Sequence, residues 1–423
     1  NSRKGHRGGV RQKLKSGGLN PRREEAMAAR TFASGNVVKS SSFSLLHDAS
    51  FSPRAWQGQA PPEIARESIR ALYHSKPDAE GLYPWLRTFF PIPYIMPKGP
   101  DEKRGTFVVD KNGLIFFYRS YRAEWLAGMV DQIEEAQRAL VGDDLLSLSL
   151  RNACADGVRG PHLAIIIGHQ RQSSVEPYLT AWHRAHQDRV DKFMELDVIK
   201  RIIRWVCGIV RAVWPGLAAR FEKDAEWHYK KYGIRPLFGY FWNFCWNAAF
   251  PGDARIHTPP HADSKNQVGV CLILCYVLKC VDFNHKTRSW LVLWEADIAA
   301  ELPPWTLTGY PSSLFYHFNV DVHRLRHVWT PSDVDIPTPE NSHPVVPGDD
   351  TGRGSMVFFS QASMRHGPET GSHTLEMAIN AGHSGSVDRN LTVREAFQRA
   401  RIDIPIPPDI IARFGEGASH FGR

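Results

Sequence analysis

The sequence predicts an α+β fold whose core is an antiparallel β-sandwich or jelly roll with flanking helices. From about residue 236 onward, runs rich in valine, leucine and aromatic residues follow one another, separated by Pro-Pro and Pro-Gly turns. These runs do not alternate with helical segments, as they would in a doubly wound parallel sheet. The clearest helical periodicity, at 189–214, lies before them, so helices and strands are expected in different parts of the chain.

The composition is typical of a folded globular protein. The chain has 423 residues, of which 42% are hydrophobic and 11% aromatic, enough to fill a sizeable core. Its longest apolar run, 268–278, is far shorter than the roughly 20 residues that span a membrane, and no apolar signal segment precedes it. The six cysteines include no CxxC pair. We therefore expect a soluble, intracellular, monomeric protein without disulfides and without a membrane partner.

The net charge of +8 is concentrated at the N-terminus. Residues 1–23 contain eight lysines and arginines and no acidic residue, and the other 44 basic residues equal the 44 acidic residues of the chain. Such an arm binds nucleic-acid phosphates, acts as a nuclear localisation signal, or is merely a disordered tail. The charge pattern therefore indicates a basic arm attached to a folded body that is neutral overall.

The composition and hydrophobic pattern along the chain predict four segments. These are a flexible basic and serine-rich arm at 1–55, helical and hairpin elaborations packed on the core at 56–235, the jelly-roll core at 236–390, and a C-terminal helix and tail at 391–423. Two β-rich runs around Asp-Lys-Asn-Gly predict a hairpin at 106–120, and GPHLAIIIGHQRQSS at 160–174 predicts a buried strand that enters a polar loop. The proline-rich stretch 323–352 predicts an insertion in the core.

Two His-x-Asp sequences have different prospects as metal sites. His186 and Asp188 lie in a helical stretch, where side chains two residues apart point about 200° apart and cannot bind one ion together. His261 and Asp263, in HTPPHADSKN, lie in a proline-braced loop before a strand. Extended backbone places residues i and i+2 on one face, so these two side chains can converge on one metal.

An iron site of the facial-triad type needs a second histidine, usually from a distant strand. His317 ends the run ELPPWTLTGYPSSLFYHF and is the candidate. We prefer it to His343, because NSHPVVP lacks strand character. A dicarboxylate co-substrate bound to such an iron also needs a cation for its far carboxylate. Arg353, with Ser355 on the same strand face, meets that requirement.

Together these motifs carry a family resemblance. His261-x-Asp263, the strand ending in His317, and Arg353-x-Ser355 resemble the iron(II)- and 2-oxoglutarate-dependent dioxygenases, whose core is a double-stranded β-helix. More narrowly, HADSKN, WLVLWE, YPSSLFYHFNV and RGSMVFFSQASM resemble the fungal branch of the ten-eleven-translocation and J-binding-protein family, which oxidises methylated bases in DNA. The resemblance covers residues 236–366, about a third of the chain.

The resemblance implies a set of roles, carried over residue by residue. His261, Asp263 and His317 would bind iron(II), and Arg353 and Ser355 would bind the co-substrate 2-oxoglutarate, with O2 as the oxidant. The further implied residues are Asn243 at the co-substrate and, at the substrate, Asn266, Gln361, His366 and Asn247. The implied partner is double-stranded DNA that carries 5-methylcytosine or N6-methyladenine, and the implied location is the nucleus. The HKTR loop at 285–288 and the GHQRQSS loop are expected to hold the DNA backbone.

One spacing departs from the family pattern, and it leaves alternatives open. His317 and Arg353 lie 36 residues apart, further than is common in the superfamily, so a loop is inserted or the pairing is wrong. Arg324 and Arg326 rank lower than Arg353, because RGSMVFF better resembles the closing strand. Three other functions compete with DNA oxidation: a dioxygenase acting on a protein or small molecule, a DNA-binding protein without turnover, and a structural zinc site.

Overall fold

A computed structural model shows a mixed α and β fold with two large sheets, in agreement with the predicted α+β class. It describes residues 21–40, 42–76, 84–94, 105–157, 159–250, 256–279, 283–286, 288–322, 328–329, 343–344, 353–384 and 386–397. Most of the predicted insertion at 323–352 lies outside the described residues, and so do the basic residues of 1–20 and the tail after residue 397. No helix among the described residues has the length and apolarity needed to span a bilayer.

The helices lie mainly before and after the central strands. They are α1 (Pro21–Ala33), α2 (Glu63–Tyr73), α3 (Glu124–Ala127), α4 (Val130–Val141), α5 (Leu148–Cys154), α6 (Ala181–Ala185), α7 (Gln187–Glu195), α8 (Asp197–Val213), α9 (Pro215–Tyr232), α10 (His366–Thr370), α11 (Leu375–Asn380) and α12 (Arg389–Phe397).

The strands are distributed along most of the described chain. They are β1 (Asn36–Lys39), β2 (Phe90–Ile92), β3 (Thr106–Val109), β4 (Ile115–Arg119), β5 (Leu163–Gln170), β6 (Tyr178–Leu179), β7 (Asn243–Ala248), β8 (Cys271–Val277), β9 (Trp290–Leu293), β10 (Ile298–Ala300), β11 (Leu307–Tyr310), β12 (His317–Val320), β13 (Val328–Trp329), β14 (His343–Pro344) and β15 (Arg353–Phe359).

Within the described residues, nine strands form the larger sheet in the order β1-β3-β4-β11-β8-β15-β7-β5-β6. All of its pairs are antiparallel except β1 with β3. The smaller sheet has the order β12-β9-β10-β2. Strands β13 and β14 pair with each other, so our reason for setting His343 aside, the lack of strand character, is wrong.

The larger sheet does not follow the predicted segment boundaries. Strands β3 to β6 come from 56–235, so this segment contributes to the sheet itself and is more than a layer packed on it. The expected flexible arm at 1–55 is also partly regular structure, because α1 packs against α8 and β1 pairs with β3. Parallel pairing of strands this far apart leaves no local signal in the sequence. The serine-rich composition of 1–55 is typical of a flexible segment and therefore did not indicate a strand.

Local sequence explains several elements well. The predicted hairpin is present as β3 and β4, and Asp110 Oδ1 closes its turn by accepting from the N–H groups of Asn112 and Leu114 at 2.9 and 2.8 Å. The predicted helix at 189–214 is divided into α7 and α8, because Leu196 has extended backbone with ψ 128°. The buried face of α8 has helical spacing and consists of Val198, Ile199, Ile202, Val206, Val210 and Val213.

Candidate functional site

A cavity lies between the two sheets and collects most of the residues that the sequence singles out. Its empty volume, including its opening to solvent, is about 730 Å³. Alternate residues of β7, β8 and β15 form one wall, and β9, β12 and the loop before β8 form the other. The part of the first wall near the end of β15 is apolar, because Cys245, Cys271 and Phe359 pack together there.

The loop that carries HTPPHAD is fixed to the smaller sheet by backbone hydrogen bonds. His261 and His317 form an isolated antiparallel bridge, with N···O distances of 3.1 and 2.8 Å between their main chains. Thr258 O also accepts from Asn319 N at 2.9 Å, and Asp263 N donates to Ser312 O at 3.3 Å. The loop therefore acts as an added strand that presents His261 beside His317.

These contacts bring His261, Asp263 and His317 together at the cavity. One ligand atom from each side chain lies within 4.8 Å of the others, which is the spacing of a metal site. The imidazole centroids of His261 and His317 are 4.3 Å apart, and His261 Nε2 is 4.0 Å from Asp263 Oδ1. Two imidazoles and one carboxylate are the donor set of the iron(II) facial triad.

The hydrogen bonds of the two imidazoles leave Nε2 of each ring available to bind a metal. His261 Nδ1 lies 2.9 Å from Pro259 O, and His317 Nδ1 lies 3.0 Å from Phe315 O. A backbone carbonyl only accepts, so each Nδ1 carries the proton and donates it, and the lone pair of each neutral ring is on Nε2. This is the outer hydrogen bond that orients most metal-binding histidines.

The electrostatics favour the charge states that bind metals. Burial, together with the neighbouring His261, lowers the pKa of His317 to about 3. Burial also lowers the pKa of His261. Burial alone would raise the pKa of Asp263, but Arg159 and His261 outweigh it and hold that pKa below its usual value. At neutral pH the site therefore offers two neutral imidazoles and one carboxylate.

Arg159 is the nearest cation to this group, and sequence patterns did not reveal it. Its guanidinium pairs with Asp263 Oδ1 at 2.5 Å, while about half of its side chain is exposed at the cavity. The loop that carries Arg159 is held close by Gly160, whose φ is +105° and whose Cβ, if present, would lie 2.6 Å from His257 O. Arg159 and Asp263 are about a hundred positions apart in the sequence, so no local pattern indicated their contact.

Arg353 provides a buried positive charge at the same cavity. It is 2% exposed, and its Nη1 and Nη2 donate to Ile256 O and Cys275 Sγ at 2.9 and 3.0 Å. Its Nε has no partner, and none of the described carboxylates forms an ion pair with it. A buried cation without an anionic partner is costly, so this end of the cavity suits a carboxylate ligand.

Ser355 and Asn247 extend this polar end, whereas Asn243 does not. Ser355 Oγ accepts from Asn247 Nδ2 at 3.0 Å, and both residues line the cavity. Asn243 is fully buried outside the cavity lining, and its Nδ2 donates to His169 O at 3.0 Å. The expected role of Asn243 at the co-substrate is therefore not supported, because β7 carries it to the far end of the sheet.

The expected substrate residues are divided between two places. Asn266 lines the cavity, and its Nδ2 contacts Ser312 Oγ at 3.4 Å. Gln361 forms a β-bridge with Asn266 but is outside the cavity lining. His366 lies in α10 and packs on Trp56, with 4.6 Å between ring centroids, so it does not share the cavity.

The two loops expected to hold a DNA backbone present paired or buried cations. In the first, Lys286 lies 3.8 Å from Glu301, and Arg288 pairs with Asp321 at 3.2 Å. In the second, Arg171 is 1% exposed, and its Nε donates to Ser174 O. Arg288 and Arg171 are therefore engaged by other groups of the protein, and contact between these two loops and a DNA backbone stays a prediction.

The second His-x-Asp sequence has no metal geometry. His186 lies between α6 and α7, where its ring stacks on Trp182 at 4.2 Å and its Nδ1 contacts Trp182 O at 2.9 Å. It is absent from the metal-type group found among the described residues. The structural interpretation of His186 and Asp188 agrees with this arrangement.

Comparison with known proteins adds little to this geometry. No protein-family model matches the chain, and no curated protein matches its sequence. Solved structures with some similarity include NgTET1 in complex with 5mC DNA; the match covers 61% of this chain and 76% of that chain, at 12% sequence identity and a TM-score of 0.37.

Proposed function

We propose that this chain is an iron(II)- and 2-oxoglutarate-dependent dioxygenase that oxidises the methyl group of a methylated base in double-stranded DNA. The observation that carries the proposal is the coincidence of two ligand sets in one cavity. Two imidazole Nε2 atoms and one carboxylate converge at one place, and a buried arginine without a carboxylate partner lies in the same lining. We further propose that the two facing sheets are the halves of a double-stranded β-helix.

The donor set favours iron over a structural zinc ion. Structural zinc sites use four protein ligands, usually with cysteine, whereas this group offers two histidines and one aspartate. Such a site leaves coordination positions open for a co-substrate and oxygen. Bound iron(II) would supply the oxygen chemistry, in which 2-oxoglutarate, O2 and a methyl group become succinate, CO2 and a hydroxymethyl group.

The side chains of this chain bind and orient the reactants. Arg353 and Ser355 would hold the far carboxylate of 2-oxoglutarate, and a dicarboxylate that spans the cavity from there can reach the metal group. The apolar wall of Cys245, Cys271 and Phe359 would exclude water from the reacting methyl group. These roles assign every charged residue in the cavity to a ligand except Arg159, which orients Asp263.

DNA as the substrate is supported by the family resemblance and by the basic residues of 1–23. A base methyl inside a duplex cannot reach a cavity between two sheets, so the nucleotide must be flipped out of the stack. Asn266, which lines the cavity three residues after Asp263, is the residue we propose to read the edge of the flipped base. Either 5-methylcytosine, with stepwise further oxidation, or N6-methyladenine suits this proposal.

The test is nucleoside mass spectrometry after incubation with iron(II), 2-oxoglutarate, ascorbate and duplex DNA that carries either methylated base. We expect an oxidised base with the intact protein and none with His261→Ala/Asp263→Ala. The matched control is His186→Ala/Asp188→Ala, which alters the second His-x-Asp sequence and should leave turnover unchanged.

Other outcomes would replace the proposal with a specific alternative. Succinate formation without any change in the DNA would identify a dioxygenase whose substrate is a protein or small molecule. Binding of duplex DNA with neither succinate nor an oxidised base would identify a DNA-binding protein that has lost turnover.

A further inference from the structure

A row of hydrogen-bonding side chains leads to Ser355 from His162, a residue that the sequence analysis did not single out. His162 is 6% exposed and lines the cavity. In the larger sheet, Asn247 pairs with Ser355 on one side and with Ala164 on the other, so the three side chains share a face. His162 precedes Ala164 by two residues and therefore belongs to the same face and the same end of the sheet.

The amide of Asn247 is held at both of its ends. Cys245 Sγ donates to Asn247 Oδ1 at 3.2 Å, and His162 lines the cavity next to Asn247 on the same face of the sheet. His162 Nδ1 has no partner among the described residues, and Nε2 is the ring atom that would donate to Asn247 Oδ1 in this arrangement. With its oxygen occupied in this way, Asn247 turns Nδ2 toward Ser355 Oγ, which accepts at 3.0 Å.

A serine hydroxyl that accepts from an amide keeps its own proton for another partner. Arg353 lies two residues before Ser355 on the same strand face, with its Nε unpaired. A carboxylate bound by Arg353 is therefore the natural acceptor for the Ser355 proton. We propose that His162 and Asn247 are positioning residues that fix the Ser355 hydroxyl as a hydrogen-bond donor to the carboxylate that Arg353 binds.

This inference rests on the proposed function, because it deepens the 2-oxoglutarate site. It gives His162 a role distinct from metal binding, since the metal-type group among the described residues consists of His261, Asp263 and His317. A purely structural role for His162 is the competing interpretation. It predicts a loss of stability without a selective loss of co-substrate affinity.

The test measures the affinity for 2-oxoglutarate without turnover. Under anaerobic conditions, 2-oxoglutarate is titrated into the iron(II)-loaded full chain, and the visible charge-transfer absorption of the complex is followed. We expect Ser355→Ala and His162→Leu to weaken binding by about tenfold to a hundredfold, the range for one hydrogen bond to a charged group. His162→Gln keeps a donor and should retain most of the affinity.

A double-mutant cycle decides whether His162 acts through Ser355. In the Ser355→Ala protein, His162→Leu should cause no further loss, because the hydroxyl that it positions is already absent. His183→Leu is the control, since His183 is also buried and contacts β5 by accepting from Gly168 N at 3.2 Å, outside the cavity. Cobalt(II) affinity, measured by calorimetry, should be unchanged in all of these variants.

Several results would overturn the inference. Each of three results would show that His162 does not position the Ser355 hydroxyl. These are additive losses of affinity in the double mutant, equal losses with His162→Gln and His162→Leu, and unchanged affinity in His162→Leu. If the wild-type chain binds cobalt(II) but not 2-oxoglutarate, both the proposed co-substrate and the positioning role of His162 are overturned. The 2-oxoglutarate titration of the wild-type chain reveals this outcome before any variant is measured.

Discussion

Arg353 and Arg365 are equally buried, with 2% of each residue exposed, but their surroundings differ. Arg365 pairs with Asp224 and with Glu369, whose Oε1 lies 2.7 Å from Arg365 Nε; Arg220 adds a second cation at 3.3 Å from the same oxygen. Among the described residues, Arg353 contacts a carbonyl, a thiol and the ring of Phe283, and no carboxylate. The charges of this helical ion cluster, which consists of Arg220, Asp224, Arg365 and Glu369, are paired with one another. The charge of Arg353 at the cavity has no carboxylate partner among the described residues, so a ligand can pair with it. Burial alone does not distinguish these two uses of arginine.

The largest effect is expected in the helical ion cluster. Arg365→Met should lower the free energy of unfolding by about 3–5 kcal/mol, because it leaves the buried Asp224 and the partly buried Glu369 with one cation fewer. Arg353→Met should change that free energy little, since Arg353 has no carboxylate to leave behind. Urea denaturation of both variants measures the difference. Equal destabilisation by the two substitutions would remove the distinction between a structural arginine and a binding arginine.

The next largest effect concerns the ligand of Arg353. Arg353→Met should weaken 2-oxoglutarate binding by about a hundredfold, or about 3 kcal/mol, because a charge-assisted contact to the carboxylate is lost. Arg365→Met is the matched variant, provided that the measurement is made under conditions where it remains folded. Calorimetry with the cobalt(II)-loaded protein gives both affinities. A similar affinity for wild type and Arg353→Met would place the dicarboxylate elsewhere.

A buried carboxyl group outside the cavity sharpens the comparison through pH. Burial raises the pKa of Glu295 to about 7, although Tyr316 N donates to it at 2.8 Å. Because the folded pKa is the higher one, the stabilising contribution is complete below about pH 4.5 and is lost as the pH rises through about 7. Glu295→Gln should therefore stabilise the chain at pH 8 by about 1–3 kcal/mol and have little effect at pH 4.5. Thermal melts at the two pH values measure this, and equal effects at both would contradict the assignment.

The smallest expected effect is at the cavity residue proposed to read the base. Asn266→Ala should lower kcat/KM for methylated DNA by about tenfold, the value of about one hydrogen bond, and leave the KM for 2-oxoglutarate unchanged. Gln361→Ala is the comparison, because Gln361 bridges to Asn266 without lining the cavity. If Gln361→Ala had the larger effect, the edge of the base would be read from the segment that follows β15.

The sequence predicted the elements that have local signals. Asp-Lys-Asn-Gly predicted the β3–β4 hairpin, and two histidines and an aspartate near strands predicted the residues that meet at the cavity. The two His-x-Asp sequences were also separable, since a helical context and an extended context direct side chains differently. Whether the three residues at the cavity bind iron stays a prediction.

The remaining features depend on strand register and on contacts between distant segments. Asn243 and Asn247 share a face of β7, but only the pairing with β15 reveals that Asn247 lies opposite Ser355 and Asn243 opposite Phe359. Arg159 and His162 belong to a segment about a hundred residues before Asp263, and no local pattern connects them. Register is a property of the assembled sheet, so these residues could be assigned only from the structure.

The central claim is that His261, Asp263 and His317 bind a catalytic metal at the cavity and that His186 and Asp188 do not. A cobalt(II) titration tests this claim most directly. Followed by calorimetry and visible absorption, it should show one cobalt(II) bound per wild-type chain and per His186→Ala/Asp188→Ala chain. The His317→Ala chain should bind cobalt(II) at least about a hundredfold more weakly while remaining folded by circular dichroism. Equal cobalt(II) affinity for wild type and His317→Ala, or no binding by wild type, would contradict the assignment of His261, Asp263 and His317 as the metal site.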